Sequence, residues 1–245
     1  MIKNYFSFSL FIILLFSPVF LMGQEQPELL KWFDNQIGTE NTRLLNGTAY
    51  SDRHRTINEK NKLFGSATGK GSVLYDGQWF PDLQMRYNVF DDVLVVQLES
   101  GLGLNIIQLV KEKVERFNLN GTPFINIIPQ NNAGVTGFHE VLWEDNNFKV
   151  LKKHALRLNE KRDREISYFE FEPIEGHYAF TYGDRNYILG SRNDLETIFP
   201  QYRSEIQNHY RSDRSILRSR PETFYTNLFR ELSGLEDELR KMPQR

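Results

Sequence analysis

The sequence contains no cysteine. That excludes disulfides, zinc–thiolate sites and cysteine nucleophiles, and it excludes a lipoprotein anchor, which needs a cysteine at the cleavage point. An excess of charge of either sign is also missing. Thirty Lys and Arg stand against 32 Asp and Glu, a formal net charge of −2. No bulk field therefore favours nucleic acid or a membrane surface as a partner. Past Gly23 no apolar run approaches the ~20 residues of a helical membrane span.

Signatures of catalysis are equally scarce. Gly65-Ser-Ala-Thr-Gly69-Lys70 has the flavour of a phosphate loop, but Phe64 and Gly71 hold the positions where that loop needs Gly and Ser or Thr. Gly101-Leu-Gly103 is followed by Ile106 in place of a third glycine, and no Gly-x-Ser-x-Gly elbow is present. The histidines, His54, His139, His154, His177 and His209, include no pair at helical i, i+4 or strand i, i+2 spacing. Asp91-Asp92 and Glu144-Asp145 lack the alternating acidic pattern of a calcium loop and read as turn residues. Trp79, Phe80 and Trp143 read as core or cross-strand aromatics ahead of a sugar- or peptide-stacking platform. The Arg-rich stretch 203–220 also holds Glu205 and Asp213 and reads as a solvated helical face. The sequence designates no catalytic residue, no metal ligand and no cofactor.

What is present begins with a targeting signal. Lys3 supplies the positive start, residues 10–16 the apolar core, and Ser17-Pro18 its end, with cleavage expected between Gly23 and Gln24. The expected product is exported, periplasmic or secreted, without a membrane span after cleavage. An exported chain without disulfides must rely on its apolar core, and residues 24–245 suffice for one.

The organising stretch is 71–97. Asp76-Gly77 is a strong type I′ hairpin signal, because both central positions need φ > 0. It pairs Tyr75 with Gln78, Leu74 with Trp79 and Val73 with Phe80, and Pro81 is expected to limit the second strand. Leu83, Met85, Tyr87 and Val89 then alternate with Gln84, Arg86 and Asn88. A two-residue Asp91-Asp92 loop sets Val89 against Leu94, Tyr87 against Val96 and Met85 against Leu98. Further strands are expected over 105–110, 114–119 and 124–128, with a turn phrase at 120–123. Others are expected over 138–143 and 148–153, with a four-residue loop pairing Trp143 with Phe148 and Val141 with Val150. The charged run 158–165 reads as a solvated loop, 166–171 as a strand, and 178–182 and 185–189 as a hairpin about Gly183-Asp184.

At Asn193 the period changes. Leu195, Ile198, Phe199, Tyr202, Ile206 and Tyr210 recur at helical spacing, with Asn193 or Asp194 as N-cap and Pro200 restarting the helix. Pro221 opens another helix carrying Phe224, Tyr225, Leu228, Phe229 and Leu232, expected to stop at Gly234. The fold class is α+β: an antiparallel β-meander, either an open curved sheet or a partial barrel, followed by two or three C-terminal helices. The expected organisation is a signal peptide 1–23, a partly irregular segment 24–64, a β domain 65–192 and a helical segment 193–245 packed on the sheet.

Several phrases together resemble a known group. They are GSVLYDGQWF from Gly71 to Phe80, the run 83–98 with its YNVFDDVL phrase, GFHEVL from Gly137 to Leu142, and LKK at 151–153. YILGSRNDL from Tyr187 to Leu195 continuing to Phe199-Pro200, and the signal ending in Gly23-Gln24, complete the set. The chain resembles small secreted β-rich proteins of unknown function found in Bacteroidetes-type bacteria. The resemblance covers most of the chain past the signal and rests on turns, strand starts and a helix cap. It implies a fold and an exported destination, and no activity.

The functional expectation is an exported, non-catalytic binding or accessory protein of the cell envelope, whose partner is an envelope protein or a small ligand. A second expectation is a carrier of a small apolar ligand in a β-barrel-like pocket, which needs a cavity of several hundred Å³ open to solvent. A third is a hydrolase, which needs His139, His177 and an acid within hydrogen-bond reach in a cleft.

Overall fold

The computed structural model describes residues 42–52, 62–100, 103–128, 134–163 and 166–241. The signal peptide, the short amphipathic turn expected at Leu29, Leu30, Trp32 and Phe33, and His54 lie outside the described residues. The rest is α+β, as the patterning implies. Its strands are β1 (Thr48–Ala49), β2 (Gly69–Tyr75), β3 (Gln78–Asn88), β4 (Val93–Ser100), β5 (Gly103–Gln108), β6 (Val114–Leu119) and β7 (Thr122–Ile127). They continue with β8 (Gly137–Glu144), β9 (Phe148–Lys152), β10 (Ala155–Asp163), β11 (Ile166–Ile174), β12 (Tyr178–Tyr182) and β13 (Arg185–Ile188). The helices are α1 (Arg192–Ile198), α2 (Arg203–Ser212), α3 (Arg214–Ser219) and α4 (Pro221–Lys241).

Among the described residues, eleven strands form one antiparallel sheet in the order β1-β5-β4-β3-β2-β6-β7-β8-β9-β12-β13. The two end strands do not pair, so the sheet is open and the barrel alternative falls away. It is nonetheless strongly curled. β3 and β8 stand four strand steps apart, about 19 Å on a flat sheet. Yet the Tyr87 and Phe138 rings meet at a centroid distance of 5.6 Å. Only a coiled sheet brings them together. The concave face is filled by Val73, Tyr75, Met85, Tyr87, Phe117, Phe124 and Phe138, all buried, with Phe117 stacked on Phe124 at 4.7 Å.

The Asp76-Gly77 turn forms in the expected register, Tyr75 with Gln78 and Leu74 with Trp79, and φ is 52° at Asp76 and 76° at Gly77. Pro81 does not limit the strand. β3 runs through it to Asn88, because Pro81 and Asp82 sit together in a bulge opposite Ser72, where no ladder donor is needed. What reads as two hairpins is therefore one meander sharing a long strand. The next register is corrected by two residues: Tyr87 pairs with Leu94 and Met85 with Val96. The loop spans four residues, not two, since Asn88 closes it by donating to Asp91 Oδ2 at 2.6 Å and accepting from the Asp91 N–H at 3.1 Å. A shift of two preserves the faces, so the inward residues are as expected.

The loop after β8 errs the other way. Trp143 pairs with Val150 and Val141 with Leu151. Asp145 folds back so that its N–H donates to the Phe148 carbonyl at 2.9 Å, which shortens the loop, and a bulge lies between Val141 and Trp143. Over its described residues, 158–163, the charged run is not a loop. It is the outer part of a separate hairpin, β10 with β11. Leu156 and Leu158 face Pro173 and Phe171 across it, and Phe171 is buried against Phe90 at 5.1 Å. The strand was hidden because past Leu158 both faces are polar, Glu160 and Arg162 on one and Asn159 and Lys161 on the other, so no alternation marks it.

The helices cover one end of the sheet. Phe229 of α4 lies 5.3 Å from Phe148 and 4.8 Å from Phe180. Four α-helices are seen among the described residues where two or three were expected, since α3 separates from α2 at Asp213. The N-cap of α1 is Ser191 and not Asn193 or Asp194. Asp194 is the third helical residue, and its carboxylate accepts from the Ser191 N–H at 2.7 Å to complete a capping box. Ser191→Ala is expected to cost about 1 kcal/mol in urea unfolding; an unchanged midpoint would discount the cap. Gly234 does not end α4. A mid-helix glycine costs about 1 kcal/mol against alanine. It is offset by docking on both sides of it: Asn147 Nδ2 donates to Ser233 Oγ at 2.8 Å, and the Tyr182 hydroxyl donates to Glu236 at 2.9 Å.

Candidate functional site

The last residue of β9, Lys152, and the two that follow it, Lys153 and His154, form a basic triplet where the chain leaves the sheet to begin the β10–β11 hairpin. Each finds an acid on a different element. Lys152 Nζ donates to Glu222 Oε1 in the first turn of α4 at 2.6 Å. Lys153 Nζ lies 2.8 Å from Asp92 Oδ2 in the β3–β4 loop. His154 Nε2 lies 2.6 Å from Glu140 Oε2 on β8. Sheet, loop and helix are thus tied at one point.

Asp92 is the centre of this arrangement. It also takes the Lys111 ammonium at 2.5 Å, the Tyr87 hydroxyl at 2.7 Å and the Phe138 N–H at 3.4 Å. Burial pushes its carboxyl up, but the Lys153 charge and the hydrogen bonds from Lys111, Lys153 and Tyr87 outweigh it and hold the group below its ordinary range. Burial pulls the Lys153 ammonium down, with Asp92 acting against that pull. The Tyr87 hydroxyl is raised by burial and by Asp92. Gly137 makes the approach possible. Its φ is 80°, and a Cβ there would meet Asp92 Oδ2 at 2.0 Å, so the carboxylate occupies space that only glycine leaves.

On the other face of β8, His139 is 0 % exposed. Its Nδ1 lies 3.0 Å from the Gly137 carbonyl, and its Nε2 3.4 Å from His177 Nε2. The carbonyl fixes the tautomer: Nδ1–H donates to Gly137, so Nε2 accepts from the His177 Nε2–H. Burial drives the His139 pKa down to about 4, with Lys153 and His177 adding to the depression. Burial and Lys153 lower His177 as well. Two histidines 38 residues apart in the chain are brought together, and no local spacing marks that pair in the sequence. Asp92 is close to them, but its hydrogen bonds go to Tyr87, Lys111, Lys153 and Phe138. The acid–imidazole link that a hydrolase requires is not formed here.

The remaining sequence candidates have structural roles. His209 on α2 faces the Phe224 carbonyl at 3.3 Å and Glu231 at 3.2 Å. Asp91 closes its loop, and Asp145 caps the β8–β9 turn by accepting from the Asn147 and Phe148 N–H groups. Glu144 lies 3.6 Å from Arg116 and 3.8 Å from Lys149. Phe80 is core, and Trp143 packs beside the helices with the Arg230 guanidinium 5.8 Å from its ring. Among the described residues no three His, Asp or Glu side chains gather at metal-ligand spacing.

Beside the basic triplet a cavity of about 400 Å³ opens between the β10–β11 hairpin, the 3-10 turn at Phe64–Ser66 and the start of α4. Leu63, Phe64, Val89, Leu156, Ile174, Tyr178 and Pro221 give it apolar walls, and Lys152, Lys153 and His154 line one side. Their partners are Glu222, Asp92 and Glu140, and Glu175 adds a carboxylate to the lining. The cavity therefore offers an apolar surface with a nearly neutral polar edge, which suits binding of an apolar body more than capture of a free ion. The sequence did not disclose it, because its walls come from five separate segments. The chain matches no protein-family model, no curated protein and no solved structure.

Proposed function

We propose that the protein is an exported, non-catalytic binding protein of the cell envelope that holds a small, largely apolar ligand. The observation that carries this reading is the 400 Å³ cavity between the hairpin and the sheet, with apolar walls and internally paired charges. Its volume lies within the ~300–1,000 Å³ of small-molecule sites. The N-terminal signal pattern supports the envelope location. The ligand site is the hairpin cavity and not a barrel interior, whose place is taken by packed aromatics.

N-phenyl-1-naphthylamine, a neutral apolar fluorophore, is expected to bind saturably at one site. Ile174 lines the cavity and is 40 % exposed, so Ile174→Glu adds a charge there without emptying the core. Affinity is expected to drop at least about tenfold, the effect of ~1.4 kcal/mol. Ile188→Glu, on β13 and 45 % exposed, serves as the control and should not alter it. Weak non-saturating binding, or equal loss in both variants, would reject the cavity as the site. Fractionation that leaves the protein in the cytoplasm would reject the location.

A further inference from the structure

A second cleft, of about 590 Å³, lies among the C-terminal helices and differs in character. Arg192 stands on one wall at the start of α1. Arg211 and Arg214 stand on the other, at the α2–α3 junction. The second wall follows helical spacing: Gln207, Tyr210, Arg211, Arg214 and Leu217 recur at three- and four-residue steps across that junction and share one face. Among the described residues no carboxylate lines the cleft. The acids nearby are directed elsewhere. Asp194 is bound to the Ser191 N–H in the α1 cap, and Asp213 faces His209 at 3.8 Å. Glu196 takes Arg192 and Arg203, each at 2.9 Å, and accepts from Gln207 at 3.2 Å, which holds Arg192 and Gln207 at the cleft edge. Arg211 and Arg214 have no ion-pair partner among the described residues.

Here, helical spacing gathers two uncompensated guanidinium groups opposite a third. The planar guanidinium fork matches the oxygens of a phosphoryl group and binds them in pairs. The floor and rim add neutral hydrogen-bonding groups, Ser191, Asn193, Gln207 and Tyr210, with Leu217 as an apolar edge. The Tyr210 ring packs on Phe224 at 4.9 Å and its hydroxyl lies beside Tyr225, so it forms a wall of the cleft. A bare ion would leave most of 590 Å³ empty, while neutral donors and acceptors beside a cationic patch suit a hydroxylated body carrying the phosphoryl group.

We propose that this cleft binds a phosphorylated ligand of sugar size, either free or as the headgroup of a lipid. The site is separate from the apolar cavity, and its test does not depend on that reading. Glucose 6-phosphate is titrated by calorimetry against the full-length protein in parallel with glucose and glucuronate. Phosphatidylcholine vesicles with and without phosphatidic acid form a second arm. Saturable binding of glucose 6-phosphate, at least about tenfold tighter than glucuronate and absent for glucose, is the expected result. Binding confined to phosphatidic-acid vesicles assigns the same site to a lipid-borne phosphoryl group. The double variant Arg211→Gln, Arg214→Gln should weaken whichever probe binds by about a hundredfold, a factor of ten for each charge-assisted contact. Both residues are exposed, so its unfolding midpoint should match the parent. Arg218→Gln with Arg220→Gln removes the same charge outside the cleft and should leave binding within about twofold. Absence of binding by both probes, or equal weakening in the two double variants, would overturn the proposal.

Discussion

Asp92→Asn is expected to lower the unfolding free energy by about 3 kcal/mol, the lower end of the range for removing one partner from a buried ion pair. Asparagine keeps the shape and one acceptor, so Tyr87 and the Phe138 N–H retain a partner. The Lys111 and Lys153 ammoniums, however, lose the anion that lies 2.5 and 2.8 Å from them. The new amide also turns two donors toward them. Lys111 is the more exposed of the two and can rehydrate; Lys153 is enclosed and cannot. The penalty should therefore reside mainly in Lys153. Lys153→Met should cost less when combined with Asp92→Asn than it does in the parent, with a coupling of at least ~1 kcal/mol in a double-mutant cycle. Urea unfolding monitored by tryptophan fluorescence measures all four proteins. A loss below about 1 kcal/mol for Asp92→Asn, or additive single effects, would show that the network is peripheral to stability.

The position of Asp92 explains what the sequence could and could not disclose. Local chemistry was legible. Asp76-Gly77 announced its own register, Gly183-Asp184 its hairpin, Pro200 the 3-10 turn ahead of α2 and Pro221 the start of α4. Each depends on residues a few positions apart. Errors of register arose where a side chain closed a loop: Asn88 lengthened one, and the turn at Asp145 shortened another. The first shift was of two residues, so its inward faces survived; at the second, Trp143 moves by two, but the bulge leaves Val141 against Leu151, one residue from the expected Val150 and on the other face. The hairpin β10–β11 was missed for a different reason. Past Leu158 both of its faces carry polar or charged residues, and the apolar cover on Phe171 comes from Phe90 outside the hairpin, so nothing local distinguishes it from a solvated loop. Asp92 itself read as a turn residue, which it also is. Its second role needed Lys111, Phe138 and Lys153 to arrive, and curling of the sheet alone brings them. The His139–His177 contact and the hairpin cavity share that dependence. The arginine cleft does not: the spacing of Gln207, Tyr210, Arg211, Arg214 and Leu217 is present in the sequence. The α1 wall and the redirection of Asp194, Glu196 and Asp213 are not.

His139 should make the fold sensitive to mild acid. Its folded-state pKa of about 4 lies below the unfolded value of 6.5, so between these limits the unfolded chain binds the additional proton. Stability contributed by the neutral imidazole is complete above pH 6.5 and is lost as pH falls toward 4. The slope approaches about 1.4 kcal/mol per pH unit for one proton, a total of about 3 kcal/mol across the window. The physical source is the site's closure. A protonated His139 would carry a charge with no water beside it, next to the Lys153 ammonium, and it would lose the acceptor nitrogen that His177 needs. His177 is displaced in the same direction and reinforces the trend. Asp92 opposes it, being the nearby anion, but that charge is already shared between Lys111 and Lys153. His139→Asn preserves a donor to the Gly137 carbonyl and removes the titrating ring. It should be less stable than the parent at about pH 7, where the ring's packing is lost. Its stability should then fall less steeply with acid, so that the two curves converge by about pH 4.5. Urea midpoints collected every half unit from about pH 7 to about pH 4.5 provide the comparison. Parallel curves over that interval would mean that His139 is protonated as readily in the folded protein as in the unfolded chain, and the enclosed, neutral pair would have to be abandoned.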